Sequence, residues 1–82
     1  SNRESGFGRF GLAIFPKSSE QTGVVMETKV AESEEDLQKV ADAALQQIEE
    51  MNYLAEFRAQ GVENVWRYGI AFCGKKLEMV RG

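Results

Sequence analysis

Residues 24–30 read VVMETKV, and this stretch decides the fold. β-Branched residues open and close it, and Glu27 and Lys29 stand two apart near its end. Side chains alternate across a strand, so an extended conformation puts Glu27 and Lys29 on one face and Met26, Thr28 and Val30 on the other. Upstream, residues 8–15 (GRFGLAIF) alternate too, with Phe10, Leu12 and Ile14 on one side and Arg9, Gly11, Ala13 and Phe15 on the other. Pro16 ends this run, and residues 17–23 (KSSEQTG) are rich in turn formers. The two runs predict a β-hairpin with a longer connection than the commonest turns. Residues 1–7 (SNRESGF) read as a loop.

Downstream, Ser33 followed by Asp36 has the spacing of a capping box in its Asp form. Glu34, Glu35 and Asp36 suit the positive end of a helix dipole. Apolar residues at 37, 40, 41, 44, 48, 51 and 55 recur with the helical period, Leu54 and Phe57 widen the stripe, and Gly61 is a natural stop. The pattern predicts one helix of about 25 residues, roughly 38 Å long. Residues 64–73 (NVWRYGIAFC) form a third strand, with Gly69 at a bulge or close approach. Gly74, Lys75 and Lys76 turn the chain into a short fourth strand at 77–80. The fold class is α/β, in the order ββαββ. The sheet is mixed, because strands joined by a crossover helix normally run parallel.

One helix covers one face of such a sheet. The opposite face, assigned to Ala13, Phe15, Val25 and part of the 65–72 strand, is expected to be open and to dock a partner. A homodimer or larger assembly follows from that expectation and from the exposed sheet edges. Trp66, Tyr68 and Phe72 are expected to pack inside the strand rather than stack on bases, and Cys73 to be a small core residue.

The whole chain has 82 residues, enough for a single domain over 1–82. It contains one cysteine and no histidine. That removes imidazole-based nucleophile pairs, imidazole zinc sites and intrachain disulfides. Any metal centre must use oxygen ligands, which favours magnesium, manganese or calcium. A free thiol and the lack of a long apolar run suggest a soluble, cytoplasmic protein with no membrane partner. The net charge is −3, but residues 31–50 hold seven acids and one base. The remainder is net positive and is free to face phosphates. The acidic segment is read as the solvated side of the helix.

An E-x-K pair alone is an ordinary surface ion pair, worth under about 1 kcal/mol. The ordered series says more. The SNRESG loop, GRFGL at 8–12, the E-x-K strand, AALQQIEEMNY at 43–53 and YGIAFCGKK at 68–76 resemble the PD-(D/E)XK nuclease superfamily. More narrowly, they resemble the nuclease-like domain at the C-terminal end of bacterial proteins with an AAA-ATPase-like N-terminal domain. The resemblance implies a restriction-endonuclease-like core, hydrolysis of nucleic-acid phosphodiesters, DNA as the partner, and Mg2+ or Mn2+ as cofactor. Glu27 would hold the metal, the backbone carbonyl of Thr28 would add a ligand, and Lys29 would be the catalytic lysine. Gln47 corresponds to a family glutamine near the site. Arg9 and Tyr53 would contact nucleic acid, although the related tyrosine position, four after the glutamine, is Met51 here.

Two departures bear on activity. The family's G-R-x-D reads Gly8-Arg9-Phe10-Gly11, so glycine stands where a metal-binding aspartate is expected. The first helix and first strand of the core are also absent, which suggests an N-terminally truncated copy. The expectation is an impaired metal-dependent nuclease. The alternative is a non-catalytic binding or assembly module. Arg9 as a strand-end ion-pair partner, and Lys75 and Lys76 as solvated turn residues, are the plainer readings of those bases.

Overall fold

The computed structural model describes residues 10–18 and 20–82, leaving aside the side chain of Phe10. Strand β1 (Phe10–Ile14) and strand β2 (Gly23–Val30) form the expected hairpin. After a 3-10 turn at Glu34–Asp36 come helix α1 (Leu37–Glu50) and helix α2 (Tyr53–Ala59). Strands β3 (Val65–Cys73) and β4 (Lys76–Arg81) complete a four-stranded sheet in the order β1-β2-β3-β4. β2 and β3 are parallel, and the two outer pairs are antiparallel. The mixed α/β sheet read from the sequence is therefore present. Gly8, Arg9 and the 1–7 loop lie outside the described residues.

The single long helix is corrected to two. Asn52 adopts a left-handed conformation (φ 61°) between α1 and α2. Its N–H donates to the carbonyl of Glu49, and its own carbonyl accepts from Ala55. Asparagine tolerates this conformation better than most residues. The break changes the helical phase. At about 100° per residue, a continuous helix would turn Tyr53 and Phe57 roughly 120° and 160° away from Ala41, toward solvent. Instead Phe57 is fully buried and Tyr53 half-buried. α2 ends as expected at Gly61 (φ 81°), where the Gly61 N–H donates to Arg58 and the Val62 N–H to Phe57, the paired bonds of a Schellman stop.

The helix start also differs from the reading. The Ser33 hydroxyl donates to Asp36 Oδ2 at 3.2 Å instead of capping a backbone N–H. The Asp36 N–H donates to the Ser33 carbonyl, which tightens the first turn to 3-10 geometry.

The core has two parts, both under the helices. Val25, Ile48, Phe57 and Val62 form one, with Ala13 and Phe15 against it. The Phe15 and Phe57 rings stack at 4.3 Å. Ala31, Leu37, Ala41 and Ala71 form the other, with Cys73 and Val80 alongside. Gly69 is a close approach rather than a bulge: a Cβ there would strike the Ala41 carbonyl and the Leu45 N–H of α1. A Cβ at Gly23 would strike the Phe57 ring.

The open face is the reverse of the one expected. Ala13, Phe15 and Val25 lie beneath the helices. The uncovered side carries Leu12, Ile14, Val30, Trp66, Phe72, Leu77 and Met79, each more than a third exposed. Trp66 (50 %) and Phe72 (39 %) are therefore not buried packing. The Tyr68 ring meets Trp66 edge-on at 6.5 Å, and the Arg81 guanidinium lies over Trp66 at 5.8 Å. Small residues decide the choice of face. Helix backbone can reach the sheet over Gly69 and Ala71, but not over Trp66 and Phe72.

Candidate functional site

β2 is central in the sheet, flanked by β1 and β3. Its helix-facing side chains are Val25, Glu27 and Lys29. Glu27 is fully buried, with both carboxylate oxygens shielded from solvent. It is also the sole charged residue in the buried core of the described residues. Burying a carboxylate costs several kcal/mol unless cations or hydrogen bonds offset it. Packing alone does not call for a carboxylate at this position, which makes Glu27 the candidate centre of the site.

The register places three residues in one row. Gly11 of β1 is opposite Glu27, and Gly69 of β3 is opposite it on the other side. Gly11 points into the same space as the carboxylate. A Cβ at Gly11 would stand 2.8 Å from Glu27 Oε1 and 2.8 Å from the Tyr53 hydroxyl. Gly11, Glu27 and Tyr53 thus converge from three elements. The family spacing, four residues after Gln47, points to Met51 and away from Tyr53. Met51 is half exposed, and the turn at Asn52 brings Tyr53 inward. The signal in the sequence was the apolar pattern losing phase after Ile48, with Asn52 at the change.

Lys29 is the next residue of β2 on the same face, half-buried, opposite Ala71. It makes no ion pair among the described residues. Glu78 shares its row two strands away, with Ala71 between. Gln47 lies on α1, half-buried. The opposite flank of that helix carries Leu45, which packs toward Gly69 and Gly82. Gln47 therefore occupies the flank nearer β1 and β2, but no hydrogen bond joins it to Glu27 or Lys29 among the described residues. Thr28 lies between Glu27 and Lys29, with its side chain on the opposite face. Arg9 lies outside the described residues. Lys75 and Lys76 are exposed at the β3–β4 turn. Arg67, on the helix side of β3, pairs with Glu49 at 3.5 Å.

A hairpin feeding a parallel β-α-β crossover, with an acid and a lysine side by side on the central strand under the helices, defines a nuclease-type α/β core. The chain belongs to the PD-(D/E)XK nuclease superfamily, whose model matches residues 1–82. No curated protein and no solved structure matches it.

Members of this superfamily generally use divalent metals. The described residues do not fit one here. No group of three or more acids or cysteines is placed to hold a metal ion among them. Among the described residues Glu27 is the one carboxylate at the centre, and the space in front of Gly11 is taken by Glu27 Oε1 and the Tyr53 hydroxyl. Hard divalent cations need several oxygen ligands, and one carboxylate is a poor start. No helix among the described residues is long and apolar enough to cross a membrane.

Proposed function

We propose that the chain is a nuclease-fold domain that engages nucleic-acid phosphodiesters, DNA first among them, with a hydrolytic centre weakened at Gly11. The observation that carries this reading is the buried Glu27 on the central strand, with Lys29 on its face and Gly11 directly opposite. Lys29 offers an ammonium to a phosphate oxygen as charge develops there. Glu27 offers a carboxylate, shielded from solvent as the chain stands, to orient water once the space before it opens. Gly11 contributes no ligand, so the step that superfamily members assist with metal is slow here.

The test is nicking of supercoiled plasmid in magnesium or manganese buffer, together with binding of a DNA duplex across a salt series. The expected result is slow nicking, lost in Glu27→Gln and in Lys29→Ala, with affinity that falls as salt rises. Strong nicking that survives Lys29→Ala refutes the roles given to this pair. No nicking together with salt-independent or absent binding refutes the nucleic-acid reading.

A second reading, a non-catalytic assembly module, is favoured by the open sheet face. Four strands about 4.8 Å apart, five to nine residues long at about 3.3 Å each, give roughly 500 Å2 in projection. With side-chain relief this approaches the ~800 Å2 per partner of a standard interface. Among the described residues Arg81 is the one charged side chain on the face, and it is already engaged with Trp66. A second copy of the same largely apolar face is the occupant this surface suits.

A further inference from the structure

Gly11, Glu27 and Tyr53 converge on one point, where more is at stake than one lost ligand. We propose that the Tyr53 hydroxyl occupies the position of the absent side chain at residue 11 and closes the centre against a divalent cation. Gly11 and Tyr53 must then be changed together to open it. This rests on the reading above, in which position 11 and Glu27 flank the centre.

The geometry gives the reason. The point where a Cβ would stand on Gly11 is 2.8 Å from two oxygens, Glu27 Oε1 and the Tyr53 hydroxyl. Real Cβ atoms are not found that close to a neighbour, so something must move for any side chain to enter. The two neighbours differ in how they can yield. The Glu27 carboxylate ends a chain with three rotatable bonds and yields by torsion, within the limits of a fully buried position. The Tyr53 oxygen ends a rigid ring that moves only as a whole, and its backbone is held by α2. α2 is in turn fixed by the left-handed Asn52 at one end and by Phe57, buried against Gly23 and Phe15, near the other. Moving the hydroxyl means tilting the ring or the helix. Removing the oxygen opens the space while keeping the ring's packing.

An aspartate alone at position 11 therefore enters an occupied space beside another carboxylate. Like charges in one buried site disfavour each other's charged form. Gly11→Asp alone gains a ligand but meets the hydroxyl. Gly11→Asp with Tyr53→Phe gains the ligand and the room. The effect belongs to the pair and is non-additive, as expected for residues in contact.

The experiment is manganese titration by calorimetry on the folded chain and on Tyr53→Phe, Gly11→Asp and the double variant, each checked by circular dichroism. The double variant is expected to bind manganese at least about tenfold more tightly than Gly11→Asp, the scale on which groups around a metal change its affinity. Tyr53→Phe alone is expected to bind no better than the unmodified chain. Equal affinity in Gly11→Asp and the double variant overturns the role of Tyr53 and leaves the two-carboxylate reading standing. No binding in any folded variant overturns that underlying reading, and this proposal with it. A metal-free measurement covers the case in which Gly11→Asp does not fold. Gly11→Ala is expected to lower the melting temperature with Tyr53 present and to lower it less in Tyr53→Phe. Equal losses in the two backgrounds overturn the steric argument.

Discussion

Replacing Asn52 with alanine sets two terms of known size against each other. Alanine favours a continuous helix and disfavours the left-handed conformation that divides α1 from α2. Holding a residue with a Cβ in that conformation costs about 1–2 kcal/mol, and asparagine carries less of it than alanine. Straightening the helix would turn Phe57 out of the core, where it is fully buried against Phe15 and Gly23. Burial of a phenylalanine side chain is worth about 1.5–3 kcal/mol, and half-buried Tyr53 adds to it. Burial outweighs the backbone term, so the break persists and the domain absorbs the strain. Asn52→Ala should lose about 1 kcal/mol, a fall of roughly 4–8 °C in Tm for a domain this small. Asn52→Gly removes the strain but adds freedom to the unfolded chain, and should stay within about 0.5 kcal/mol of the unmodified protein. Thermal and urea melts followed by circular dichroism measure both. A higher Tm for Asn52→Ala, accompanied by stronger helical signal, would refute the reasoning, because it would mean the straight helix is the lower state.

Two further outcomes follow from packing and from the open face. Gly69→Ala should destabilise by about 3 kcal/mol, the upper end of overpacking costs, because the added methyl meets α1 backbone instead of a movable side chain; a melt within a degree or two of the unmodified protein would contradict the close approach. Trp66→Lys with Met79→Lys places two charges on the uncovered sheet face and should shift sedimentation at high micromolar concentration toward monomer, while Lys75→Glu at the exposed turn should leave it unchanged; a monomer already present in the unmodified chain would remove the second copy as occupant.

Alternation in VVMETKV and GRFGLAIF was enough to read the hairpin, and the crossover fixed the parallel pairing of β2 with β3. Alternation tells which residues share a face but not which face the helices take. That choice depends on how near a helix backbone can come, and it was decided by Gly69 and Ala71 against Trp66 and Phe72. The pairing of Glu27 with Lys29 was legible because both lie on one strand. The arrival of Tyr53 was not, because it depends on one backbone conformation at Asn52 that resets the phase of everything after it. Phe57, read as a widening of the first helix's stripe, is the anchor of a second helix. In the sequence Gly11 stands out for the side chain it lacks. Only the structure shows what fills that space.

The parallel seam between β2 and β3 joins opposite halves of the chain, for Glu27 faces Gly69 across it. Each antiparallel hairpin can close on local contacts, whereas the seam must wait for the helices to bring the halves together. The topology therefore predicts two hairpins that form first and one joint that forms later. Gly11 and Glu27 belong to the same hairpin and meet early. Tyr53 reaches them only when the joint closes. Native-state hydrogen exchange should therefore find the β2–β3 amides and α2 exchanging together as one unit, which would tie the third member of the centre to the closing of that joint.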